Sequence, residues 1–263
     1  MKIGVYGIFI KDYIVYIDQF LEGCTNRFMK NHNKKFFIII DKDNEDKVKE
    51  LSEVYDIEYR IVKYIGWPYE TLYRYVYFDF FDMKNVRDCN YMYFLNSNIL
   101  FRKECGEEML PDETGYVFTF HSSFHKIRSV EKCNATDKNR ISKCYIPKDT
   151  ELKYIIGGLF GCESDKFIKL SNFLRDNIFE NERIGYIAKW NDETHLNYYV
   201  NVVLKNNVKY LSPLYHGFGR QRKNFVDFEK KEIKINCNHK VRRNKRIVRK
   251  NVYNIEYFNK VKN

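Results

Sequence analysis

Several features that would assign a chain to a class at once are missing from this sequence. No stretch of its 263 residues approaches the ~20 uninterrupted apolar residues of a membrane span. The N-terminal segment KIGVYGIFIKDY meets charge directly after Ile10 and has no small-residue cleavage site, which is typical of a core strand and not of a signal peptide. Internal repeats and low-complexity linkers are also absent. We therefore expect a single soluble domain located in the cytoplasm.

The cysteines lack the spacing of a metal site or of a disulfide framework. They are odd in number and include no Cys-x-x-Cys pair, whereas zinc sites use close pairs and secreted scaffolds use an even set. We predict that all of them are reduced and contribute to packing. They are Cys24, Cys89, Cys105, Cys133, Cys144, Cys162 and Cys237.

Acidic residues are fewer than basic ones, and the formal net charge is +11 at pH 7. Such an excess implies an anionic partner, which is a nucleic acid, an anionic membrane surface or a phosphorylated substrate. Basic residues concentrate between positions 240 and 250, where Lys240 and Arg243 lie in a run that contains no acid. A solvated tail and an anion-binding segment both fit this run.

Apolar runs alternate with segments of helical periodicity along the chain. This alternation predicts an α/β fold with a mainly parallel sheet flanked by helices, and ligands bind beyond the carboxyl ends of strands in such sheets. Residues 122–146 show no periodicity and are expected to form a long functional or mobile loop. The predicted strands are 2–10, 36–41, 57–62, 91–103, 115–121 and 153–161, and the predicted helices are 12–28, 45–54, 67–83, 164–179 and 192–204.

Two asparagines interrupt the apolar stretch YMYFLNSNILFRK at residues 91–103. Asn96 and Asn98 are spaced two apart, so on an extended chain their side chains would share one face. Carboxylates in this arrangement could chelate a divalent cation, but neutral amides are poor ligands. An ordinary polar strand exit is the alternative to a binding site here.

Two adjacent acids precede the apolar stripe of the segment WNDETHLNYY at residues 190–199. Glu193 falls in the first turn of the predicted helix, where the helix dipole favours a charged carboxylate, and Asp192 is expected to cap that helix. One interpretation is a capping box or an acidic first turn. The other is a carboxylate that is held ionised at the floor of a pocket.

The order of the motifs resembles glycosyltransferase family 6, the group that includes the blood-group A and B transferases and the α1,3-galactosyltransferase. The resemblance covers most of residues 3–216. It implies a Rossmann-like GT-A fold, which we expect over residues 1–235, and a basic C-terminal segment, 236–263, that closes over the nucleotide. The motifs are FIKDYIVYIDQFLE, WPYETLYR, YIPKD, IIGGLFG, WNDETHLNYY and YLSPLY.

The resemblance implies transfer of a sugar from a uridine diphosphate donor with retention at the anomeric carbon. Animal members carry Asp-x-Asp and require manganese, whereas Asn96-Ser97-Asn98 is similar to the bacterial branch, which is metal-independent. No cofactor is therefore expected, and the two amides would hydrogen-bond the donor. Lys240 and Arg243 are expected to compensate the charge of the diphosphate.

The resemblance also assigns roles to individual residues. Glu193 is the expected catalytic residue, either as a nucleophile that forms a glycosyl-enzyme or as a group that stabilises positive charge. Arg74 is expected to contact the donor sugar and Asp192, and for Ile8 and Ile10 a core role is an equal alternative. The expected donor-binding residues are Ile8, Phe9, Ile10, Tyr13, Trp67, Arg74, Asn96, Asn98, Ile156, Gly157, Gly158, Asp192, Lys240 and Arg243, and the expected acceptor-binding residues are His121 and Trp190.

A few residues in the matching motifs suggest which donor sugar and which acceptor glycan the protein uses. Gly158 favours UDP-N-acetylgalactosamine (UDP-GalNAc), because a larger residue there would narrow the pocket toward galactose. The expected acceptor is a fucosylα1,2-galactoside, which would give a blood-group-A-like product, although His121-Ser122-Ser123-Phe124-His125 departs from the family's His-Pro-Gly-Phe-Tyr.

Three alternatives differ from this hypothesis in donor or in class. They are an α1,3-galactosyltransferase, an inactive sugar-binding module and a nucleic-acid-binding protein. The last ranks lowest, because the aromatic residues lie in predicted core elements and not in the basic run, so we expect no nucleic-acid partner. The basic segment is also expected to contact the anionic inner face of the membrane peripherally.

Overall fold

The computed structural model describes residues 1–218 and 234–237, in which strands and helices alternate. The strands are β1 Lys2–Phe9, β2 Asn33–Ile40, β3 Ile57–Ile61, β4 Tyr91–Leu95, β5 Ile99–Phe101, β6 Tyr116–Phe120, β7 Ile155–Glu163, β8 Lys209–Leu211, β9 Gly217–Phe218 and β10 Ile235–Cys237. The helices are α1 Ile17–Asn26, α2 Glu45–Ser52, α3 Tyr69–Leu72, α4 Arg74–Phe78, α5 Met83–Arg87, α6 Ser164–Arg183 and α7 Asn191–Tyr198, the last continuing as a π-helix over Tyr199–Val203.

A seven-stranded sheet in the order β3-β2-β1-β4-β7-β6-β8 organises the chain. Strands β1, β2, β3 and β4 run parallel to one another, and β6 runs parallel to β8, while β7 is antiparallel to both β4 and β6. The predicted α/β fold with a mainly parallel sheet is confirmed. Because Leu95 at the end of β4 pairs with Leu159, the first residues of β7 extend beyond the carboxyl end of β4.

Helices cover both faces of this sheet, which explains the continuous apolar runs of its inner strands. In β2, Phe36, Ile38 and Ile40 belong to one hydrophobic cluster, whereas Phe37 and Ile39 belong to the cluster on the other face. Successive strand residues point to opposite sides, so a strand that is buried on both faces needs an apolar residue at every position. The strands predicted at 2–10, 36–41, 57–62 and 115–121 are present, with small differences at their ends.

The helix predicted over residues 67–83 was wrong. The segment instead forms the short helices α3 and α4, and α5 begins only at Met83. Tyr73, with φ −84° and ψ 12°, separates α3 from α4. Every residue of α4 is buried, so packing on several sides, and not one apolar stripe, determines the course of the chain.

Helix α6 begins at Ser164, whose hydroxyl donates to the backbone oxygen of Cys89. The cap predicted for α7 was wrong. Asp192 lies inside α7, after the first helical residue, Asn191. Of the apolar residues predicted to face the core up to Leu204, Val203 is 40% exposed in the π-helix, whereas Leu204 packs against the core.

Residues 122–146 contain turns without strands or helices, as the missing periodicity predicted. They nevertheless contribute to a separate hydrophobic cluster, so part of the segment is packed. The cluster consists of Val130, Cys133, Ala135, Ile146, Leu152 and Tyr154.

All cysteines within the described residues are buried free thiols, as predicted; these six exclude Cys237, whose side chain is not described. Burial raises the pKa of the Cys89 thiol to about 11 and that of Cys144 to about 12, which makes both poor nucleophiles. Within residues 1–218 and 234–237, no helix is long and apolar enough to cross a bilayer.

A small sheet places β10 between β5 and β9. Cys237 of β10 pairs with Ile99 of β5, directly after the two asparagines. The predicted boundary after residue 235 falls within β10, and the division into a domain and a basic tail stays a prediction. Lys240 and Arg243 lie outside the described residues, so their contacts with a diphosphate and the contact of the tail with a membrane also stay predictions.

Candidate active site

Asn96 and Asn98 lie in a tight turn between β4 and β5 and not on an extended strand. The backbone N–H of Ile99 donates to the oxygen of Asn96 at 3.1 Å, and that of Asn96 donates to the oxygen of Gly158 at 2.9 Å. The expectation of two side chains on one strand face was therefore wrong. The turn places Asn96 beside β7 and buries Asn98, which is 5% exposed.

The side chains of this turn do not fit the manganese site of the animal family members. Hard divalent cations bind carboxylates, whereas the turn offers the amides of Asn96 and Asn98. The Asn96 amide nitrogen lies 2.5 Å from the position that a Cβ at Gly158 would take, so it faces protein. In the part of the chain that the structure describes, no cluster of three or more His, Cys, Asp or Glu side chains could hold a metal.

Gly157 and Gly158 form the part of β7 where the predicted site residues meet. A Cβ at Gly157 would lie 3.1 Å from a carboxylate oxygen of Asp192 and 3.3 Å from the Cβ of Glu193. A Cβ at Gly158 would lie 2.4 Å from the Nε2 atom of His216. The missing side chains therefore permit close approach, more strictly at Gly158 than at Gly157, and the two successive residues admit groups on opposite faces of the strand.

Arg74 and Asp192 form a buried ion pair beside Gly157. The Nη2 atom of Arg74 lies 3.0 Å from Oδ2 of Asp192, and the two residues are 6% and 5% exposed. The Nη1 atom donates to the backbone oxygen of Gly157, and the guanidinium lies 4.1 Å from the centre of the Phe94 ring. The pair anticipated from the sequence is present, and it fixes α4 and α7 against β7.

Glu193 is held by two hydrogen bonds, one to each carboxylate oxygen. The backbone N–H of Gly157 donates to Oε2 at 2.8 Å, and the hydroxyl of Tyr154 donates to Oε1 at 3.0 Å. Burial raises the pKa of Glu193 to about 7 from the ordinary 4.5, although these donors and Arg74 act to lower it. A pKa near 7 leaves both the protonated and the ionised carboxyl populated at neutral pH.

Two asparagine side chains fasten α7 to the start of β7. Asn197 accepts from the backbone N–H of Ile155 and donates to its oxygen, both at 2.9 Å. One turn later, Asn201 makes the same pair of contacts to Lys153, at 2.8 and 3.3 Å. Each amide satisfies one backbone N–H and one backbone oxygen, as the backbone of a neighbouring strand does in a sheet. These contacts fix the position of Glu193 relative to Gly157.

His121 and Trp190, the predicted acceptor residues, belong to one aromatic cluster. The His121 ring lies 4.6 Å from Phe124 and 6.4 Å from Trp190, and Phe124 lies 5.9 Å from Trp190, measured between ring centres. Tyr154 joins this cluster at 5.8 Å from His121, and its hydroxyl reaches Glu193. Trp190 is 42% exposed, so the cluster offers solvent an aromatic surface next to the carboxylate.

The predicted uridine contacts lie at the end of β1 and in the turn that follows. Phe9 and Ile10 are buried, and the Phe9 ring packs 5.0 Å from Phe20, so these side chains belong to the core. Ile8 and Tyr13 are partly buried. Of these four residues, only Ile8 and Tyr13 have side chains that are exposed enough to contact a nucleotide.

An open cleft of about 610 Å³ lies at the carboxyl ends of β1, β2 and β3. The Nζ atom of Lys11 lies 3.1 Å from a carboxylate oxygen of Asp41 within its lining. Trp67, a further predicted donor residue, is 54% exposed, and its indole is accessible. This edge of a parallel sheet is the usual place for a ligand. The cleft is lined by Lys11, Asp41, Lys42, Asp43, Ile61, Val62, Lys63 and Tyr64.

Residues 1–250 match the sequence model of glycosyltransferase family 6. The chain belongs to this family. Its seven-stranded sheet and flanking helices agree with the GT-A-like fold that the resemblance implied.

The family 6 relatives have distant sequences. Histo-blood group ABO system transferase 1 of Rattus norvegicus is 26% identical over 215 residues, which cover 81% of this chain and 60% of the rat protein. O-antigen biosynthesis glycosyltransferase WbnI of Escherichia coli is 25% identical, with coverage of 76% and 82%. Globoside alpha-1,3-N-acetylgalactosaminyltransferase 1 of Gallus gallus is 23% identical, with coverage of 75% and 57%. This chain thus spans about three fifths of the rat relative.

Sequence reasoning missed three residues of the candidate site. Tyr154 and Asn197 lie in a predicted strand and a predicted helix but received no role, and His216 was not singled out. Asn197 and Asn201 gave a signal, since amides four residues apart within an apolar helix share one face. The contact between His216 and Gly158 is long-range and gave none.

Proposed function

We propose that the protein is a retaining, metal-independent α1,3-N-acetylgalactosaminyltransferase with UDP-GalNAc as donor and a fucosylα1,2-galactoside as acceptor. The main support is Glu193, which is fixed by Gly157 and Tyr154 between the Arg74–Asp192 ion pair and the aromatic cluster around Trp190. A carboxylate so oriented can act at an anomeric carbon. The name of the chicken relative supports the choice of donor sugar and linkage.

Glu193 has two chemical roles that both retain the anomeric configuration. As a nucleophile, one oxygen bonds to the anomeric carbon while UDP leaves with the bonding electron pair. The acceptor hydroxyl then displaces the carboxylate and gives its proton to a phosphate oxygen of the departed UDP. As an electrostatic group, it stabilises the positive charge while the acceptor enters on the face that UDP leaves. Both roles require the ionised carboxylate.

Metal independence is supported by the amides of Asn96 and Asn98, which are unsuited to a hard cation. Positive charge from the basic segment would then compensate the diphosphate. Cys237 pairs with Ile99, directly after the asparagine turn, and Lys240 follows three residues later.

Sugar transfer is expected to continue in excess EDTA. The measurement is UDP release from UDP-GalNAc, with and without a fucosylα1,2-galactoside, before and after manganese is added back. Because no cation is needed, manganese should change the acceptor-stimulated rate by less than about twofold, whereas removing a catalytic metal costs several kcal/mol. Transfer that appears only with manganese would contradict metal independence.

The pH dependence of transfer is expected to follow the ionisation of Glu193. Since burial raises its pKa to about 7, the carboxylate is mainly protonated below that pH and ionised above it. We expect kcat/KM to rise about tenfold per pH unit below neutrality and to level off above it. The Tyr154→Phe variant removes a hydrogen bond to the ionised form, so its midpoint should move to higher pH. A profile that is flat between about pH 5 and about pH 9 would contradict this role.

A second candidate is an α1,3-galactosyltransferase that uses UDP-galactose. It is favoured by the side chains beside Gly158, because His216 and Asn96 take the space that a Cβ at this position would occupy. A glycine in that environment does not by itself provide room for an acetamido group. The choice between the two donors therefore depends on His216 as well as on Gly158.

A further inference from the structure

His216 is a buried histidine at the junction of two structural elements. It follows the 3₁₀ turn Pro213–Tyr215 and precedes β9, and it is only 1% exposed. Its Nε2 atom lies 2.4 Å from the position of a Cβ at Gly158, and the amide nitrogen of Asn96 lies 2.5 Å from the same point. The imidazole therefore lies against the strand that carries the predicted donor residues.

The backbone around His216 is fixed by several hydrogen bonds. The N–H of His216 donates to the oxygen of Pro213 at 3.1 Å, and the N–H of Lys234 donates to the oxygen of Leu214 at 3.0 Å. The Lys234 ammonium also donates to the hydroxyl of Tyr215 at 3.0 Å. The ring is thus held at Gly158 by its own turn and by the residue that leads into β10.

Because Gly158 has no side chain, the imidazole of His216 and the amide of Asn96 can both lie against it. An added methyl group would meet both His216 and Asn96 at distances that real Cβ atoms do not adopt. Ile156 lies on the same face of β7, two residues away, and is 4% exposed. On this face the room for a ligand therefore depends on how far the imidazole extends, and not only on the missing side chain.

We infer that His216 is a specificity-determining residue of the donor site, whose imidazole limits the size of the substituent that the donor sugar carries at C2. This inference rests on the proposed function and deepens it. An acetamido group adds fewer non-hydrogen atoms to a sugar than the imidazole ring contains. Truncation of His216 therefore creates enough room for that group, and a larger ring removes room.

The test is the ratio of kcat/KM for UDP-GalNAc to kcat/KM for UDP-galactose. We expect His216→Ala and His216→Asn to raise this ratio at least about tenfold over the wild type, since small steric differences in a pocket change specificity by that amount. His216→Phe should lower it. His216→Gln, similar in size and also polar, should stay within about threefold of the wild type.

A ratio is insensitive to partial unfolding, because both donors are measured on the same preparation. Leu211→Ala serves as the matched control, since it truncates another buried residue in the strand that leads to His216 and should leave the ratio unchanged. An unmoved ratio in both His216→Ala and His216→Asn would overturn the inference. Failure of the wild type to release UDP from either donor would instead contradict the proposed function.

Discussion

Replacing Glu193 by glutamine is expected to lower sugar transfer at least about 1000-fold while UDP still binds, as the loss of a group that acts in the transition state does. Glutamine has the same shape, and its side-chain oxygen can still accept from the N–H of Gly157. The amide cannot form a glycosyl-enzyme and carries no negative charge. Initial rates of transfer and calorimetric titration with UDP measure the two effects separately.

Glu182→Gln is the matched control for this variant. Burial also raises the pKa of Glu182 to about 7, and its carboxylate accepts a hydrogen bond from Tyr73 at 2.7 Å. It lies near the end of α6 and outside the proposed site. We expect transfer within about threefold of the wild type for this control. Comparable losses in the two variants would indicate a general effect of buried carboxyl groups and would contradict the role of Glu193.

Glu193→Gln should lower transfer activity but should not lower the stability of the fold. The pKa of Glu193 is raised in the folded state, to about 7 from about 4.5, so ionisation opposes folding and stability falls as pH rises between these values. Glutamine does not ionise. The melting temperature of Glu193→Gln at pH 8 should therefore equal or exceed that of the wild type, as is typical of a group kept for function.

Local sequence patterns predicted the sheet well because burial on both faces leaves little choice of residue. A run such as residues 36–40 can only be a central strand, a buried helix or part of a membrane span, and its length decides in favour of the strand. The acidic start of α7 was equally visible. The local pattern did not supply the partner of either acid: the Arg74–Asp192 pair was expected only from the family resemblance, and the contact of Glu193 with Tyr154 was not expected.

The incorrect predictions have one physical cause in common, which is tertiary packing that overrides a local rule. The periodicity of residues 67–83 suggested one helix, but burial on all sides divides it into shorter pieces. The argument about Asn96 and Asn98 assumed an extended chain, whereas the backbone turns there to meet Gly158. His216 lacked any local pattern, because its surroundings come from β7 and from the turn after β4.

Replacing Arg74 by methionine is expected to reduce the free energy of unfolding by about 3–5 kcal/mol, the usual cost of leaving one partner of a buried ion pair alone. Methionine fills much of the space but leaves the carboxylate of Asp192, 5% exposed, without its cation. It also removes the donor to the backbone oxygen of Gly157. Urea unfolding at constant pH measures the change.

The control for Arg74 is an ion pair of the same length at the surface. The Nε atom of Arg87 lies 3.0 Å from Asp165, but these side chains are 56% and 70% exposed, so Arg87→Met should cost less than about 1 kcal/mol. Adding Asp192→Asn to Arg74→Met should recover part of the lost stability, because the stranded charge is removed. Equal costs for Arg74→Met and Arg87→Met would show that the buried pair does not hold α4 and α7 to β7. The position of Glu193 would then depend on its hydrogen bonds to Gly157 and Tyr154 and on the Asn197 and Asn201 contacts.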